Sequence, residues 1–100
     1  MSLTPEGKVK DAVKKLIKGH KEVYLYMPVP GGYGRPTLDF LGVINGVPFA
    51  IETKAPGKRL TPIQANVANE MERAGINVFV INGADEPDLR SLRLFLGANS

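Results

Sequence analysis

Residues 38–54 read LDFLGVINGVPFAIETK, and this stretch decides the predicted fold. Its two strand-like runs flank Asn45-Gly46, the commonest signature of a two-residue type I′ turn, and therefore predict a β-hairpin. Counting outward from a two-residue turn places Asp39 opposite Glu52, so that two carboxylates have Cβ atoms about 5 Å apart. A four-residue turn would place Asp39 opposite Lys54 instead and keep all three residues on one face. Like charges this close are destabilising unless another group offsets them. The open end of the hairpin is therefore a candidate site.

A positive charge is predicted on the same face of the hairpin. Strand side chains alternate between faces, so Lys54 lies on the side of both carboxylates, and the side chain of Thr53 points away. Apolar residues occupy both faces, with Leu41, Val43, Pro48 and Ala50 on one and Phe40, Ile44, Val47, Phe49 and Ile51 on the other. If helices cover both faces, the charges are partly desolvated and need a neutralising partner.

The segments around the hairpin predict three helices and two further strands. They are a helix begun by Thr4-Pro5 and ended by Gly19, a strand in EVYLYMPV (22–29), a helix begun by Thr61-Pro62 and ended by Gly75, a strand in INVFVIN (76–82) and a last helix from about Pro87. A helix between the third and fourth strands predicts that these two strands pair in parallel. The order αβββαβα predicts one α/β domain over 1–100, with a mixed sheet flanked by helices.

Composition excludes several classes of protein. The chain of 100 residues contains no cysteine, which excludes disulfides and thiolate metal sites. Its single histidine, His20, lies in a polar turn and gives little support to a catalytic triad. No apolar run approaches the roughly 18 residues of a membrane span, and the first residues lack the apolar core of a signal peptide. We therefore expect a soluble, intracellular protein.

Basic residues are concentrated in the first helix. The net charge is +3, and six of the basic residues lie between Lys8 and Lys21. This favours an anionic partner, although a lysine-rich helix face is often only solvated. The candidate contacts with nucleic acid are Lys14, Lys15, Lys18, Lys58 and Arg59, together with Tyr33 and Arg35 in the irregular segment 28–36. A plain connecting loop is the alternative interpretation of that segment.

Two carboxylates beside one lysine indicate a divalent cation. Lys54 supplies one positive charge against two negative ones, and oxygen ligands select hard ions such as Mg²⁺ or Mn²⁺. The main-chain carbonyl of Thr53 is a further candidate ligand. Glu6 lies on the inward stripe of the first helix, as an additional ligand or as a residue that orients a metal-bound water, yet the helix dipole also favours it there. An ion-paired trio at a solvated sheet edge is the alternative.

Gln64 also has two interpretations. A capping box with Thr61 explains a glutamine at this position of a helix. Its side chain also begins the helix that leaves the charged strand, which places it among the candidate catalytic residues.

The combination of LDF, IETK and TPIQ resembles the PD-(D/E)XK nuclease superfamily, and within it the virus-type replication-repair nuclease (VRR-NUC) domain. In that pattern an early helix carries a glutamate, a hairpin carries an aspartate, a strand ends in E-x-K and the next helix begins with a glutamine. The matching residues are Glu6, Asp39, Glu52-Thr53-Lys54 and Gln64. The similarity extends over 5–82 and includes APGKRLTPIQ and AGINVFVI. One departure is that Thr37 and Leu38 separate Pro36 from Asp39, whereas family members often have the proline directly before the aspartate.

The resemblance implies a restriction-endonuclease-like core and a metal-dependent endonuclease that acts as a homodimer on branched or four-way DNA in repair or recombination. Asp39, Glu52 and the Thr53 carbonyl would hold one or two Mg²⁺ or Mn²⁺ ions that polarise the phosphate and acidify the attacking water. Lys54 would orient or deprotonate that water, or stabilise the developing charge. The implied location is the cytoplasm, of the producing cell or of the host of a virus or phage. A non-catalytic nucleic-acid-binding module is the alternative, and a scaffold-only dimer is a third.

Overall fold

The chain folds into a four-stranded mixed sheet with helices on both faces. The structure is a computed structural model, and it describes residues 4–28 and 36–100. The elements are α1 (Pro5–Lys18), β1 (Val23–Tyr26), β2 (Phe40–Ile44), β3 (Val47–Thr53), α2 (Pro62–Arg73), β4 (Asn77–Ile81) and α3 (Glu86–Asn99). The predicted order and fold class are confirmed. In the described parts of the chain, no helix combines the length and apolarity needed to cross a membrane.

Local sequence signals set the ends of α1 and α2. Thr4 Oγ1 accepts the N–H of Gly7 at 3.0 Å and caps the start of α1. After α2 the chain turns at Gly75, whose φ of +96° is unfavourable for residues with a Cβ atom. The N–H of Ile76 then donates to the carbonyl of Met71 at 3.0 Å, as in a Schellman motif. The start of α1 and the end of α2 are therefore each set by residues within one helical turn of that boundary.

The hairpin has the predicted register. Asn45 and Gly46 have φ values of +46° and +83°, as a type I′ turn requires, and Ile44 pairs with Val47. The strand order is β1-β2-β3-β4, with antiparallel pairs except for β3 and β4, which run parallel as predicted. β2 and β3 are therefore the central strands, and the open end of their hairpin lies at the end of β3.

Helices cover the two faces of the sheet to different extents. α1 and α3 pack on one face in a core of Val9, Val13, Ile17, Phe40, Ile44, Phe49, Ile51, Ile81, Leu89, Leu92 and Leu96. On the other face α2 contributes to a smaller core of Leu38, Ala50 and Ala68. Tyr24, Tyr26 and Val43 on β1 and β2 stay 73%, 53% and 41% exposed. The described helices therefore leave this half of the α2 face uncovered, because α2 packs over β3 and β4.

A close contact joins the hairpin to α3. Gly42 pairs directly with Phe49, and a Cβ atom at position 42 would lie 2.5 Å from the Phe49 Cζ atom and 2.7 Å from the main-chain oxygen of Tyr24. Only glycine leaves room for the ring. The ring centroid of Phe49 is 5.9 Å from that of Phe95 on α3, in an edge-to-face arrangement. This apolar packing holds the middle of the hairpin, and the polar groups lie at its open end.

Candidate active site

The polar site lies where β2 begins and β3 ends. Asp39 directly precedes β2, and Glu52 and Thr53 are the last two residues of β3. The neighbouring parallel strand keeps the chain extended beyond this point, because the N–H of Lys54 donates to the carbonyl of Ile81 at 2.9 Å. Binding sites of α/β proteins commonly lie at the carboxyl ends of parallel strands.

Glu52 is a buried carboxylate with only 4% of its surface exposed. Its Oε1 atom accepts the main-chain N–H of Asp39 at 3.1 Å, and its Oε2 atom accepts the side-chain amide of Gln64 at 3.0 Å. Burial, followed by the charge of Asp39, raises the pKa of Glu52 from 4.5 to about 7. The hydrogen bond from Asp39 and the charge of Lys54 oppose this shift, whereas the charge of Glu6 adds to it. Glu52 therefore titrates near neutral pH.

Gln64 forms the predicted capping box and also contacts Glu52, while its catalytic role stays a prediction. Its Oε1 atom accepts the N–H of Thr61 at 3.0 Å, and the Thr61 hydroxyl accepts the N–H of Gln64 at 3.2 Å, which together form a capping box. The same side chain donates through Nε2 to Glu52. Because the capping box engages the amide oxygen, the amide presents a donor to Glu52. The start of α2 thereby orients the buried carboxylate.

Asp39 is held by Thr53. The Oδ2 atom of Asp39 accepts the N–H of Thr53 at 2.9 Å and its hydroxyl at 2.6 Å. The prediction that the Thr53 side chain points away from both carboxylates is therefore wrong for Asp39. Asp39 lies at a bend before β2, where strand alternation no longer decides the direction of a side chain. The two carboxyl groups remain neighbours, since the charge of Asp39 raises the pKa of Glu52.

Lys10 of α1 is a site residue that the sequence analysis missed. Its Nζ atom lies 3.7 Å from Asp39 Oδ1, with side chains that are 31% and 21% exposed. Lys10 follows Glu6 by one helical turn, beside the inward-facing stripe, and this spacing was the available signal. The predicted balance of one positive charge against two negative ones is wrong, because Lys10 supplies a second positive charge.

The donor atoms at the site suit a hard divalent cation. Asp39, Glu52 and the main-chain carbonyl of Thr53 offer only oxygen, and Mg²⁺ and Mn²⁺ commonly complete such a set with water. Within 4–28 and 36–100, no group of three or more His, Cys, Asp or Glu residues is arranged to hold an ion. Glu6, which is partly buried, does not complete a three-carboxylate site. An ion here would therefore depend on two carboxylates, one carbonyl and water.

The predicted contacts with nucleic acid are exposed where the structure describes them. Lys14, Lys15 and Lys18 lie on the outer face of α1, and Lys58 and Arg59 lie between β3 and α2. Lys15 also forms an ion pair with Asp11 at 3.5 Å. The predictions for Tyr33 and Arg35 concern residues outside the described ranges.

The chain was compared with protein-family models and with curated proteins. No family model and no curated protein matches the chain. The resemblance to the VRR-NUC domain stays a prediction.

Proposed function

We propose that this protein is a divalent-metal-dependent endonuclease that hydrolyses phosphodiester bonds in DNA. The observation that carries the proposal is the burial of Glu52, which is 4% exposed and lies beside the carboxylate of Asp39. The pKa of Glu52 is raised to about 7. Burying a charged group next to a like charge lowers the stability of a domain unless it is compensated. A role in binding a cation is a sufficient reason to retain this arrangement. The resemblance to the VRR-NUC family supports DNA as the substrate.

Asp39, Glu52 and the Thr53 carbonyl would hold Mg²⁺ or Mn²⁺ at this site. A divalent ion bound there supplies positive charge that polarises a phosphate and lowers the pKa of a water molecule. The protein contributes orientation, because Gln64 holds Glu52 through Oε2, and Thr53 holds Asp39 through Oδ2. Both carboxylates are thus positioned by groups of the folded chain.

Lys54 is the proposed partner of the attacking water or of the phosphate. It follows Glu52 by two residues, is partly buried, and is close enough for its charge to lower the pKa of Glu52. Its Nζ atom would orient or deprotonate the water, or stabilise the negative charge that develops on the phosphate oxygens.

The proposed substrate is branched or four-way DNA, bound by a homodimer that brings two sites to one molecule. The exposed lysines of α1, with Lys58 and Arg59, would contact phosphates and fix the orientation of the DNA. A domain of 100 residues has a limited surface for recognising a junction, which favours two copies. A sedimentation mass equal to that of a monomer at working concentration would contradict the dimer.

A panel of linear, nicked, flapped and four-way DNAs tests the proposal. We expect cleavage with Mg²⁺ or Mn²⁺ and none in EDTA, and we expect Asp39→Ala and Lys54→Ala to abolish cleavage while DNA binding persists. Lys21→Ala is the matched control, since Lys21 is an exposed lysine near the turn end of the hairpin. Cleavage by Lys54→Ala at the wild-type rate would exclude the proposed role of this lysine.

A non-catalytic DNA-binding module is the second candidate, and one observation favours it. Three of the four carboxylate oxygens at the site accept hydrogen bonds from the protein, and Lys10 faces the fourth. Such a site is satisfied without an ion. Salt-sensitive DNA binding combined with no cleavage of any DNA in the panel, under Mg²⁺ and Mn²⁺, would decide for this candidate.

A further inference from the structure

Asp39 has two oxygen atoms in unlike surroundings. Oδ2 accepts two hydrogen bonds from Thr53, at 2.9 Å from the main-chain N–H and 2.6 Å from the hydroxyl. Oδ1 faces the Nζ atom of Lys10 at 3.7 Å, a distance typical of an ion pair and too long for a hydrogen bond. Among the described residues, the contact found at Oδ1 is therefore the charge of one flexible side chain.

The two oxygens of Glu52 are held more firmly than Asp39 Oδ1, because each accepts a hydrogen bond. Glu52 Oε1 accepts a main-chain N–H, and Oε2 accepts the amide of Gln64, whose orientation is fixed by the capping box. Displacing either donor would leave a polar group of the fold without a partner, which is costly in a buried place. Lys10 can leave at a lower cost, because its side chain is 31% exposed and its ammonium can return to water.

We propose that Lys10 occupies the place of the divalent cation at Asp39 Oδ1 in the metal-free protein and withdraws when the ion binds. The inference depends on the proposed function, and it adds a residue that tunes the affinity for the ion. Lys10 is thus a competing cation: it offsets the charge of Asp39 before the ion arrives, and the ion has to displace it in order to bind. Its ammonium is then available to a phosphate at the same end of the sheet.

Calorimetric titration of the full chain with MnCl₂ in the absence of DNA tests this inference. Two unit charges about 4 Å apart attract by roughly 1 kcal/mol in water. Removing the charge of Lys10 beside Asp39 Oδ1 should therefore raise the affinity for Mn²⁺ on the order of fivefold at low salt. We expect Lys10→Met and Lys10→Gln to bind Mn²⁺ more tightly than wild type by that factor. Lys8→Met, an exposed lysine on the same helix, is the control and should bind like wild type.

The conservative variant separates charge from packing. Lys10→Arg keeps the positive charge, so its Mn²⁺ affinity should stay near that of wild type, and equal tightening in Lys10→Arg and Lys10→Met would overturn the inference. Equal Mn²⁺ affinities of wild type, Lys10→Met and Lys10→Gln would overturn this inference and leave the proposed function standing. Absence of Mn²⁺ uptake by wild type, with or without DNA, would overturn the proposed function together with this inference.

Discussion

The two ends of the β2–β3 hairpin are held in opposite ways. At the turn end, Asn45 and Gly46 adopt the positive φ values of +46° and +83° that a two-residue turn needs, so the conformation of the turn follows from these two residues. At the open end, Asp39 and Glu52 are held by groups from α1, α2 and the end of β3. A turn requires only suitable backbone conformations, whereas each buried oxygen requires a donor. The turn end therefore sets the register that places the carboxylates, but it does not provide their partners.

The largest expected effect is a pH dependence of stability that originates at the open end. The folded protein holds the Glu52 proton up to about pH 7, whereas the unfolded chain releases it near pH 4.5, so the folded state binds more protons between these values. The free energy of unfolding should therefore fall as pH rises through this window, by up to about 3 kcal/mol. Urea unfolding between pH 5 and 8 without divalent ions measures it.

Glu52→Gln should remove this slope, since it removes the titrating group. It should also lower stability at pH 5 by about 1 kcal/mol, because the new amide nitrogen opposes one of the two existing donors. Glu72→Gln, at an exposed position on α2, is the control and should keep the wild-type profile. A wild-type profile that is flat from pH 5 to 8 would contradict the raised pKa of Glu52.

A smaller effect is expected when the contact from α2 is removed. Gln64→Ala loses both the capping box and the hydrogen bond to Glu52, so it should destabilise the protein by about 2 to 3 kcal/mol. Thr61→Ala is the matched control, because it removes only the side-chain cap and should cost about 1 kcal/mol. Equal losses in the two variants, measured by urea unfolding at pH 8, would show that the bond to Glu52 contributes nothing.

At the turn end, Gly46→Ala should cost about 1 kcal/mol, because a Cβ atom is unfavourable at a φ of +83°. The loss should be independent of pH and should leave DNA cleavage unchanged. Gly97→Ala, in the last part of α3 and with open space around its Cα atom, should instead be neutral or stabilising by about 0.5 kcal/mol. A Gly46→Ala protein whose loss grows between pH 5 and 8 would mean that the two ends are coupled.

The smallest effect concerns an exposed hydrogen bond between the turn and the end of α3. Asn45 Nδ2 donates to the main-chain carbonyl of Asn99 at 2.6 Å in an exposed place. Asn45→Gly keeps a residue that tolerates positive φ and loses this bond, so the cost should be about 0.5 kcal/mol. A loss above about 2 kcal/mol in urea unfolding, beyond the range for such a bond, would show that the turn end also depends on tertiary contacts.

Sequence patterns predicted the scaffold better than the site. Thr61, Pro62 and Gln64 predicted the start of α2, and the structure has a capping box there. The hydrogen bond from Gln64 to Glu52 was open to two interpretations, because the capping box alone explained the glutamine. Lys10 was missed because its partner Asp39 lies far away along the chain, and helical spacing alone does not show which side chains meet. Whether the site cleaves DNA stays a prediction.

The amino-acid sequence by itself determined the order of the elements, the ends of α1 and α2 and the register of the hairpin, because these follow from local backbone conformations and from hydrophobic periodicity. Only the tertiary structure decided that Asp39 is held by Thr53 and faced by Lys10, and that part of the α2 face stays open. These features depend on the direction of a side chain at a bend and on where helices cross the sheet. Neither has a periodic signal in the sequence, since both arise from contacts between distant parts of the chain.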